Sequence, residues 1–408
     1  MTGTGPPHPQ KRTAHQSMHL LAFLERPKGD GQSPTSCFEY RLLCSGELYS
    51  SSVATTDWRK SDGTRLLLLE PFFLAVCSER FNDFPQELVL RFLTSQVKEE
   101  HGNSVIIFHA DEDIAADLSA LLTLLCRRLI TVSARVRQVY SDDHKDSPFR
   151  DWSIGFVKAL DRTHWQQKPS SVTYDSEGRP IDIKDYNPPP LGIDRARLGN
   201  LLVSFPRFPN APSMVLSARL YALALMHLEH DADLAYQLLI ASVEATASEL
   251  LKDYQPTEEQ MISSKASVMT KARGFGLTAQ QSRELAIEAC KGIPWAQRKF
   301  VKFLVDYADD SLWQEDDLFT VPPSFLPSKP HFEQVLGDVY QARGKLTHGG
   351  HPFPRSAVIG VGSTVPARAL MSFDWSDKPF PPVVWFERVV SVAFKNLIER
   401  SSAAIDAP

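Results

Sequence analysis

Residues 331–350 read HFEQVLGDVYQARGKLTHGG and are the most informative stretch of this 408-residue chain. Apolar residues recur within it at the i, i+3, i+4 and i+7 spacing of an amphipathic helix. They are Phe332, Val335, Leu336, Val339 and Leu346. Arg343 follows Val339 by four residues, so it is predicted to lie on the same face of the helix. Because a guanidinium on an apolar face must be paired or line a cleft, this arginine marks a candidate site.

The same helix is predicted to end at Gly349 and Gly350, because glycine readily adopts the left-handed conformation that follows many helices. His348 then lies in the last turn, beside backbone carbonyls that have no partner within the helix. The negative end of the helix dipole favours a positive charge at that position. An inward-facing arginine and a histidine five residues later could hold an anion and move a proton.

Length and composition indicate a globular protein of two domains. The net charge of −5 neither requires nor excludes a nucleic-acid partner. The five cysteines contain no C-x-x-C pair, which disfavours a disulfide scaffold or zinc knuckle and favours a cytoplasmic location. No apolar run approaches the roughly 18 residues of a membrane span, so we expect no membrane partner. Residues 1–35 are polar and proline-bearing at their start and are predicted to form a disordered tail.

Residues 36–205 are predicted to form an α+β domain whose topology the sequence does not specify. Apolar residues alternate with others from Phe38 to Cys44, as in a half-buried strand. Residues 112–128 begin with acidic and end with basic side chains, which is typical of a helix. Residues 130–137 alternate again and predict a further strand.

Residues 206–408 are predicted to form an all-helical bundle, because the apolar period changes there from 2 to 3.6. The prolines in residues 205–212 predict a stiff, extended boundary. Helices are predicted over residues 213–229, 232–252, 278–290, 295–307, 331–348 and 382–400.

This helical half resembles the HEPN superfamily, most closely its Apea-like domains, over roughly residues 212–404. Such domains carry an R-x4–6-H motif late in the chain, often with a tyrosine upstream and a glycine after the histidine. This chain has matching residues at Tyr340, Arg343, His348 and Gly349. Residues 239–250 look like the long central helix of the family, and residues 298–304 look like its basic and aromatic helix.

The resemblance implies a metal-independent endoribonuclease that acts in antiphage defence, as a toxin or in stress responses. It implies catalysis by Arg343 and His348, to which we assign Tyr340 and Glu244 as supporting residues, with no cofactor and no metal. The motif helices of two protomers face each other in active members of the family, which implies a homodimer. The resemblance equally allows a relative that lost activity and only binds nucleotides or RNA, or only dimerises.

RNA can be cut without a metal when its own 2′-OH attacks the adjacent phosphate, which requires an acid or base and a cation for the developing charge. His348 suits the first task and Arg343 the second. In the structural alternative, Arg343 pairs with a buried acid such as Glu244 and His348 only caps the helix. Gly344 favours the relative that lost activity, because well-studied nucleases of the family commonly have a polar residue after the arginine.

Residues 265–302 carry eight basic residues against two acidic ones, and aromatic residues lie among them. Cations bind phosphates and aromatic rings stack on unpaired bases, so RNA is the expected partner. The predicted RNA-binding residues are Arg298, Lys299, Lys302 and Lys345. An equally good alternative places Phe300 and Phe303 in the core and makes the charges a solvated helix face.

Three weaker patterns do not predict a metal or dinucleotide site. They are His109-x-Asp111-x-Asp113, His227-x-x-His230 and Gly360-Val-Gly362. The acids of the first lie where a helix begins, so a capping role is expected. The second has no third ligand, and the last lacks the third glycine of a dinucleotide fingerprint.

Overall fold

The computed structural model is mostly helical, with a small antiparallel sheet in its N-terminal part. This agrees with the predicted order of an α+β region followed by a helical one. The residues described are 19–25, 35–46, 48–50, 66–68, 72–76, 86–95, 97–101, 104–108, 110–139, 173–174, 180–181, 191–228, 231–293, 295–314, 327–353 and 380–406.

Five of the described strands form an antiparallel sheet in the order β3-β4-β5-β1-β8. Two further antiparallel pairs, β6–β7 and β9–β10, and one parallel pair, β2–β11, complete the strands that are described. The bounds are β1 Thr35–Cys44, β2 Leu48–Ser50, β3 Leu66–Leu68, β4 Phe72–Val76, β5 Gln86–Ser95, β6 Val97–His101, β7 Ser104–Phe108, β8 Ile130–Val139, β9 Thr173–Tyr174, β10 Pro180–Ile181 and β11 Leu191–Ile193.

The alternation in the central strand β1 separates an apolar face from a charged one. Phe38, Tyr40 and Leu42 are buried in the main apolar core. Glu39, between them, lies directly opposite Arg91 of β5 and binds its guanidinium at 2.5 Å. Both charged groups are buried, and each neutralises the other, which offsets the cost of removing them from water. The predicted strand is therefore confirmed, although its second face is buried and carries ion pairs.

Eleven α-helices are described. Their bounds are α1 His19–Leu24, α2 Asp111–Cys126, α3 Arg195–Ser204, α4 Ala211–His227, α5 Ala232–Leu250, α6 Glu258–Ser264, α7 Ala266–Gly274, α8 Ala279–Glu288, α9 Ala296–Tyr307, α10 Phe332–Gly349 and α11 Val383–Asp406. The helix predicted over residues 112–128 and all those predicted in the C-terminal half are present, with ends that differ by a few residues. The helices α1, α3, α6 and α7 were not predicted, because they are short and their apolar period is weak.

The N-terminal segment predicted to be disordered contains the helix α1, which corrects that prediction for these residues. Leu20 and Leu21 are buried in the main core, and α1 packs against α2. The ring of Phe23 lies 5.0 Å from that of Phe72 on β4. A helix of six residues is too short to be stable by itself, so the burial of its apolar side chains stabilises it here. The rest of the predicted tail, residues 1–18 and 26–34, lies outside the described residues.

The segment predicted to be an extended boundary is instead a 3-10 helix, Phe205–Arg207. The rings of Phe205 and Phe208 are both buried, with their centroids 5.5 Å apart. Burial of these two rings places this segment against the core instead of leaving it extended. The same apolar core includes residues of the sheet and of the helices. The division into separate units at residues 205–206 stays a prediction.

A buried carboxylate joins three helices that are distant in sequence. Glu387 on α11 is 1% exposed and pairs with Arg127, which follows α2 in a left-handed conformation (φ 51°). One guanidinium nitrogen lies 2.6 Å from the carboxylate and a second 3.1 Å from it. The hydroxyl of Tyr221 on α4 donates to the same carboxylate. Burial and the charge of Glu387 raise the pKa of Tyr221 well above its usual value, so the phenol stays a donor.

We predict that Arg127→Ala lowers the free energy of unfolding by about 3 kcal/mol or more, because it leaves the charge of Glu387 buried without its cation. Urea denaturation followed by circular dichroism measures this change. Arg197→Ala is the control, because Arg197 pairs with Glu399 at the surface. That pair should contribute less than about 1 kcal/mol. Equal losses in the two variants would contradict a central role for the Glu387 cluster.

Candidate functional site

The helix that carries the R-x4-H motif, α10, ends as predicted. Gly350 follows it with φ 65° and donates its N–H to the carbonyl of Leu346 at 3.0 Å. The N–H of His351 reaches the carbonyl of Lys345 at 3.4 Å. The bond from Gly350 to Leu346 spans one helical turn and forms an αL cap, which requires a left-handed residue that glycine adopts without strain.

The apolar face of α10 packs against α5 and α9, as its spacing predicts. Phe332, Val335, Leu336 and Val339 are buried, and Leu346 is partly buried against the same core. The next contact toward the surface is aromatic, because the ring of Tyr340 lies 5.2 Å from that of Phe300 on α9. Beyond it lies Arg343, at the point where the core meets solvent.

Arg343, Glu244 and Tyr340 form one hydrogen-bonded cluster between α5 and α10. The guanidinium of Arg343 contacts both carboxylate oxygens of Glu244, at 3.0 Å and 3.3 Å. The hydroxyl of Tyr340 donates to Glu244 at 2.5 Å. The guanidinium carbon also lies 5.7 Å from the centroid of the Tyr340 ring. The structure thus brings together three of the four residues assigned to the predicted site.

Burial, followed by the hydrogen bond to Glu244 and the charge of Glu244, raises the pKa of Tyr340 to about 12, although Arg343 opposes the rise. The phenol is therefore protonated at neutral pH. It serves as a donor that helps to fix the carboxylate, and is not itself a base.

Arg343 retains donors for a further acceptor. A guanidinium has five N–H groups, and Glu244 accepts from two of its nitrogens. The side chain of Arg343 is 33% exposed, so the remaining donors can meet a ligand from solvent. A carboxylate that orients a guanidinium while leaving it accessible is suited to anion binding. The same pairing was expected in the structural alternative, so the contact with Glu244 alone does not separate the two interpretations.

His348 lies apart from the cluster within one chain. It is exposed in the last turn of α10 and makes no hydrogen bond or ion pair in the part of the chain that the structure describes. Five residues along an α-helix correspond to about 140° around the axis and about 7.5 Å along it. Arg343 and His348 therefore project from different faces of α10.

Two of the predicted RNA-binding residues on α9 have partners within the chain. The guanidinium of Arg298 donates to the carbonyl of Gln260 at 3.2 Å and lies 5.6 Å from the ring centroid of Trp295. The ammonium of Lys299 lies 3.5 Å from the carbonyl of Lys252. The first contact joins the start of α9 to α6, and the second joins it to the segment that follows α5.

The other two predicted RNA-binding residues are exposed. Lys302 pairs with Asp306 one turn later at 2.9 Å, which is the arrangement of a solvated helix face. Lys345 lies on the exposed face of α10. Phe300 and Phe303 are fully buried, so the alternative that placed these aromatics in the core is confirmed. RNA binding by the four cations stays a prediction.

The acids of the first weak metal pattern have structural partners. Asp111 is buried, accepts a hydrogen bond from the hydroxyl of Tyr40 and binds Arg135 at 3.2 Å. The helix N-cap is Ala110, with no side-chain cap, so the acids act in the first turn and not as the cap. Asp113 lies 3.7 Å from His19 of α1.

Residues 109, 230 and 360–362 of the weak patterns lie outside the described residues. Among the residues that are described, no group of three or more His, Cys, Asp or Glu side chains is placed to hold a metal ion. No described helix is both long and apolar enough to cross a membrane.

Comparisons of the chain with known protein families, with curated proteins and with solved structures find no match.

We predict that Glu244→Gln lowers the free energy of unfolding by roughly 1–3 kcal/mol, because Arg343 and Tyr340 lose a charged acceptor at the edge of the core. Glu249→Gln is the matched control on the same helix, since Glu249 is exposed and makes only a 3.9 Å contact with Lys252. Thermal and urea unfolding of the two variants measure the difference. Indistinguishable curves would contradict a structural contribution of the cluster.

Gly344 within α10 and Gly350 immediately after it should respond in opposite ways to replacement by alanine. A Cβ on Gly344 would meet no atom within 4 Å, and the residue is helical, so Gly344→Ala should stabilise the fold by about 1 kcal/mol. Gly350 has a positive φ, so Gly350→Ala should destabilise it by about 1 kcal/mol. Shifts of the melting temperature in the same direction would contradict this reading of the helix end.

Proposed function

We propose that this protein is a metal-independent endoribonuclease of the HEPN type, acting as a defence or stress effector in the cytoplasm. The observation that carries the proposal is the guanidinium of Arg343, oriented by Glu244 yet partly exposed, on a helix whose last turn presents His348. A phosphate could accept from the donors of Arg343 that Glu244 does not use. The similarity of the helical half to an Apea-like domain is part of the same proposal.

In the proposed reaction the 2′-oxygen of a ribose attacks the adjacent phosphorus, and the bond from phosphorus to the 5′-oxygen breaks. The proton of the 2′-OH goes to a base, and the departing 5′-oxygen receives a proton from an acid. The products are a 2′,3′-cyclic phosphate and a 5′-hydroxyl, so no water and no redox partner is consumed. His348 serves in the proton transfer because imidazole exchanges protons near neutral pH.

Arg343 stabilises the negative charge that develops on the phosphorane oxygens, since its charge is permanent and its donors are planar. Glu244 and Tyr340 are positioning residues in this proposal. They hold the guanidinium at the edge of the core, so that little reorganisation is needed when the charge develops.

The separation of Arg343 and His348 around α10 supports a homodimer. An isologous contact that places two copies of α10 face to face presents the arginine of one copy and the histidine of the other to the same phosphate. One copy of α10 is less suited to place its own Arg343 and His348 on the same phosphate, because the two side chains are about 140° apart around the helix axis.

A second candidate function is a non-catalytic module that binds RNA or a nucleotide, or that only dimerises. The observation that favours it is Gly344, which provides no polar side chain next to the arginine. The pairing of Arg343 with Glu244 fits either function.

We predict that the wild-type protein arrests growth on expression and degrades RNA, and that His348→Ala abolishes both effects while leaving the melting temperature unchanged. His331→Ala is the matched control, because His331 is exposed at the opposite end of the same helix and should change neither effect. Arg343→Ala should lower kcat more than it raises KM, since its charge matters most in the transition state. Cleavage of purified RNA should persist in EDTA.

Equal RNA integrity with wild type and His348→Ala would favour the binding module. Activity that EDTA removes and magnesium restores would place the catalytic site elsewhere in the chain.

A further inference from the structure

The helices α6, α7 and α8 form an arm, residues 258–288, between the end of α5 and the start of α9. They pack on one another through small side chains, of which Ala272, Ser282 and Ala286 are buried, whereas α6 buries none. The base of the arm is joined to α9 where Arg298 donates to the carbonyl of Gln260. The arm therefore extends from the two helices that carry Glu244 and Phe300 at the candidate site.

The turn between α7 and α8 presents one aromatic side chain to solvent. Phe275 is 87% exposed, the largest exposure among the large hydrophobic residues described, and Leu277 beside it is exposed as well. Its neighbours in sequence are Gly274 and Gly276, where an added Cβ would meet no atom within 4 Å. The phenyl ring is thus accessible to a partner from solvent.

This turn is held in one conformation by the ends of two helices. Gly276 adopts φ 85°, and the N–H of Leu277 bonds to the carbonyl of Ala272 at 3.2 Å, which closes α7. Thr278 then begins α8 with a capping box to Gln281. Because the backbone is fixed, binding through Phe275 would not require the turn to be ordered first.

The charged side chains nearest Phe275 in the sequence, Lys271 and Arg273, are both basic, although the arm as a whole carries four acidic and four basic residues. Residues 260–283 contain four basic residues and no acidic one. Arg283 pairs with Glu258, but Lys271 and Arg273 are exposed and form no ion pair within the described part of the chain. These two cations precede Phe275 by four and two residues and lie in the last turn of α7, next to the turn that carries the ring.

We propose that Phe275, Lys271 and Arg273 form a second RNA contact, in which the ring stacks on an unpaired base and the cations bind the flanking phosphates. Stacking on aromatic rings is the way proteins bind single-stranded RNA without reading its sequence, and a duplex does not offer its bases in this way. The inference rests on the proposed function for its choice of RNA. It adds that the substrate is single-stranded where it meets the arm.

The test uses the full-length chain carrying His348→Ala, so that bound RNA stays intact. Fluorescence anisotropy with a labelled single-stranded RNA of about 16 nucleotides, and with the same strand in a duplex, measures the affinity. Phe275→Ala should weaken binding of the single strand roughly tenfold. Phe275→Trp should retain affinity, and its added indole fluorescence should be quenched on binding. Leu223→Ala, which removes an exposed apolar side chain from α4, is the control and should bind as the parent does.

The cations are tested separately by the dependence of affinity on salt. Lys271→Ala combined with Arg273→Ala should reduce the slope of log K against log salt by about 0.7 for each cation removed. An unchanged slope overturns their assignment to phosphates.

Unchanged affinity in Phe275→Ala, or failure of the parent to bind the single strand, overturns the inference. The inference is also overturned if Phe275→Ala changes the molar mass measured by light scattering but not the RNA affinity, because the turn is then a contact between protein chains. The proposed nuclease is judged separately, by cleavage in the chain with His348 intact. Binding that depends on Phe275 without any cleavage would support the arm and contradict the nuclease.

Discussion

The buried charge of Glu387 is the constraint on which the arrangement of the helices depends. A carboxylate that is 1% exposed must be compensated in place, because the cost of removing it from water is otherwise several kcal/mol. Its partners, Arg127 and Tyr221, come from helix ends or faces more than 160 residues away in the chain. A shift of α2, α4 or α11 relative to the others would separate these three groups, so their contacts hold the surrounding apolar packing in register.

Phe386, which precedes Glu387 in the chain, links this buried carboxylate to the candidate site through contacts between aromatic rings. The ring of Phe386 lies 6.3 Å from that of Phe300, whose other neighbour is the ring of Tyr340. Tyr340 then donates to Glu244, which binds Arg343. A continuous series of contacts thus leads from the centre of the helical part to a partly exposed arginine. Because close-packed rings leave little room for movement, such a support keeps the guanidinium in one orientation.

The sequence predicts an element well where a long apolar period or a cap is present. The helix α10 is identified by its buried stripe and its closing glycines, and the strand β1 by its alternation. The arm is different, because α6 buries no side chain and therefore has no apolar period to detect. The helix α1 and the turn at Phe205–Arg207 were also misjudged, since their order comes from burial against residues distant in sequence. Prolines and polar flanks indicate local stiffness or disorder but not what the chain packs against.

For the candidate site, the sequence by itself determined that Arg343 would lie on an inward face of a helix and that His348 would lie in its last turn. Both statements follow from the helical period and from the conformational freedom of glycine, which are local properties. The sequence also suggested Glu244 as a partner, but only the tertiary structure decided that its carboxylate binds Arg343 and Tyr340 together. It also decided that Phe300 is in the core and that Phe275 is at an exposed turn, although both lie in one basic segment. Which side chains face the core depends on how distant helices pack, and that packing is a sum of long-range contacts that no local pattern contains.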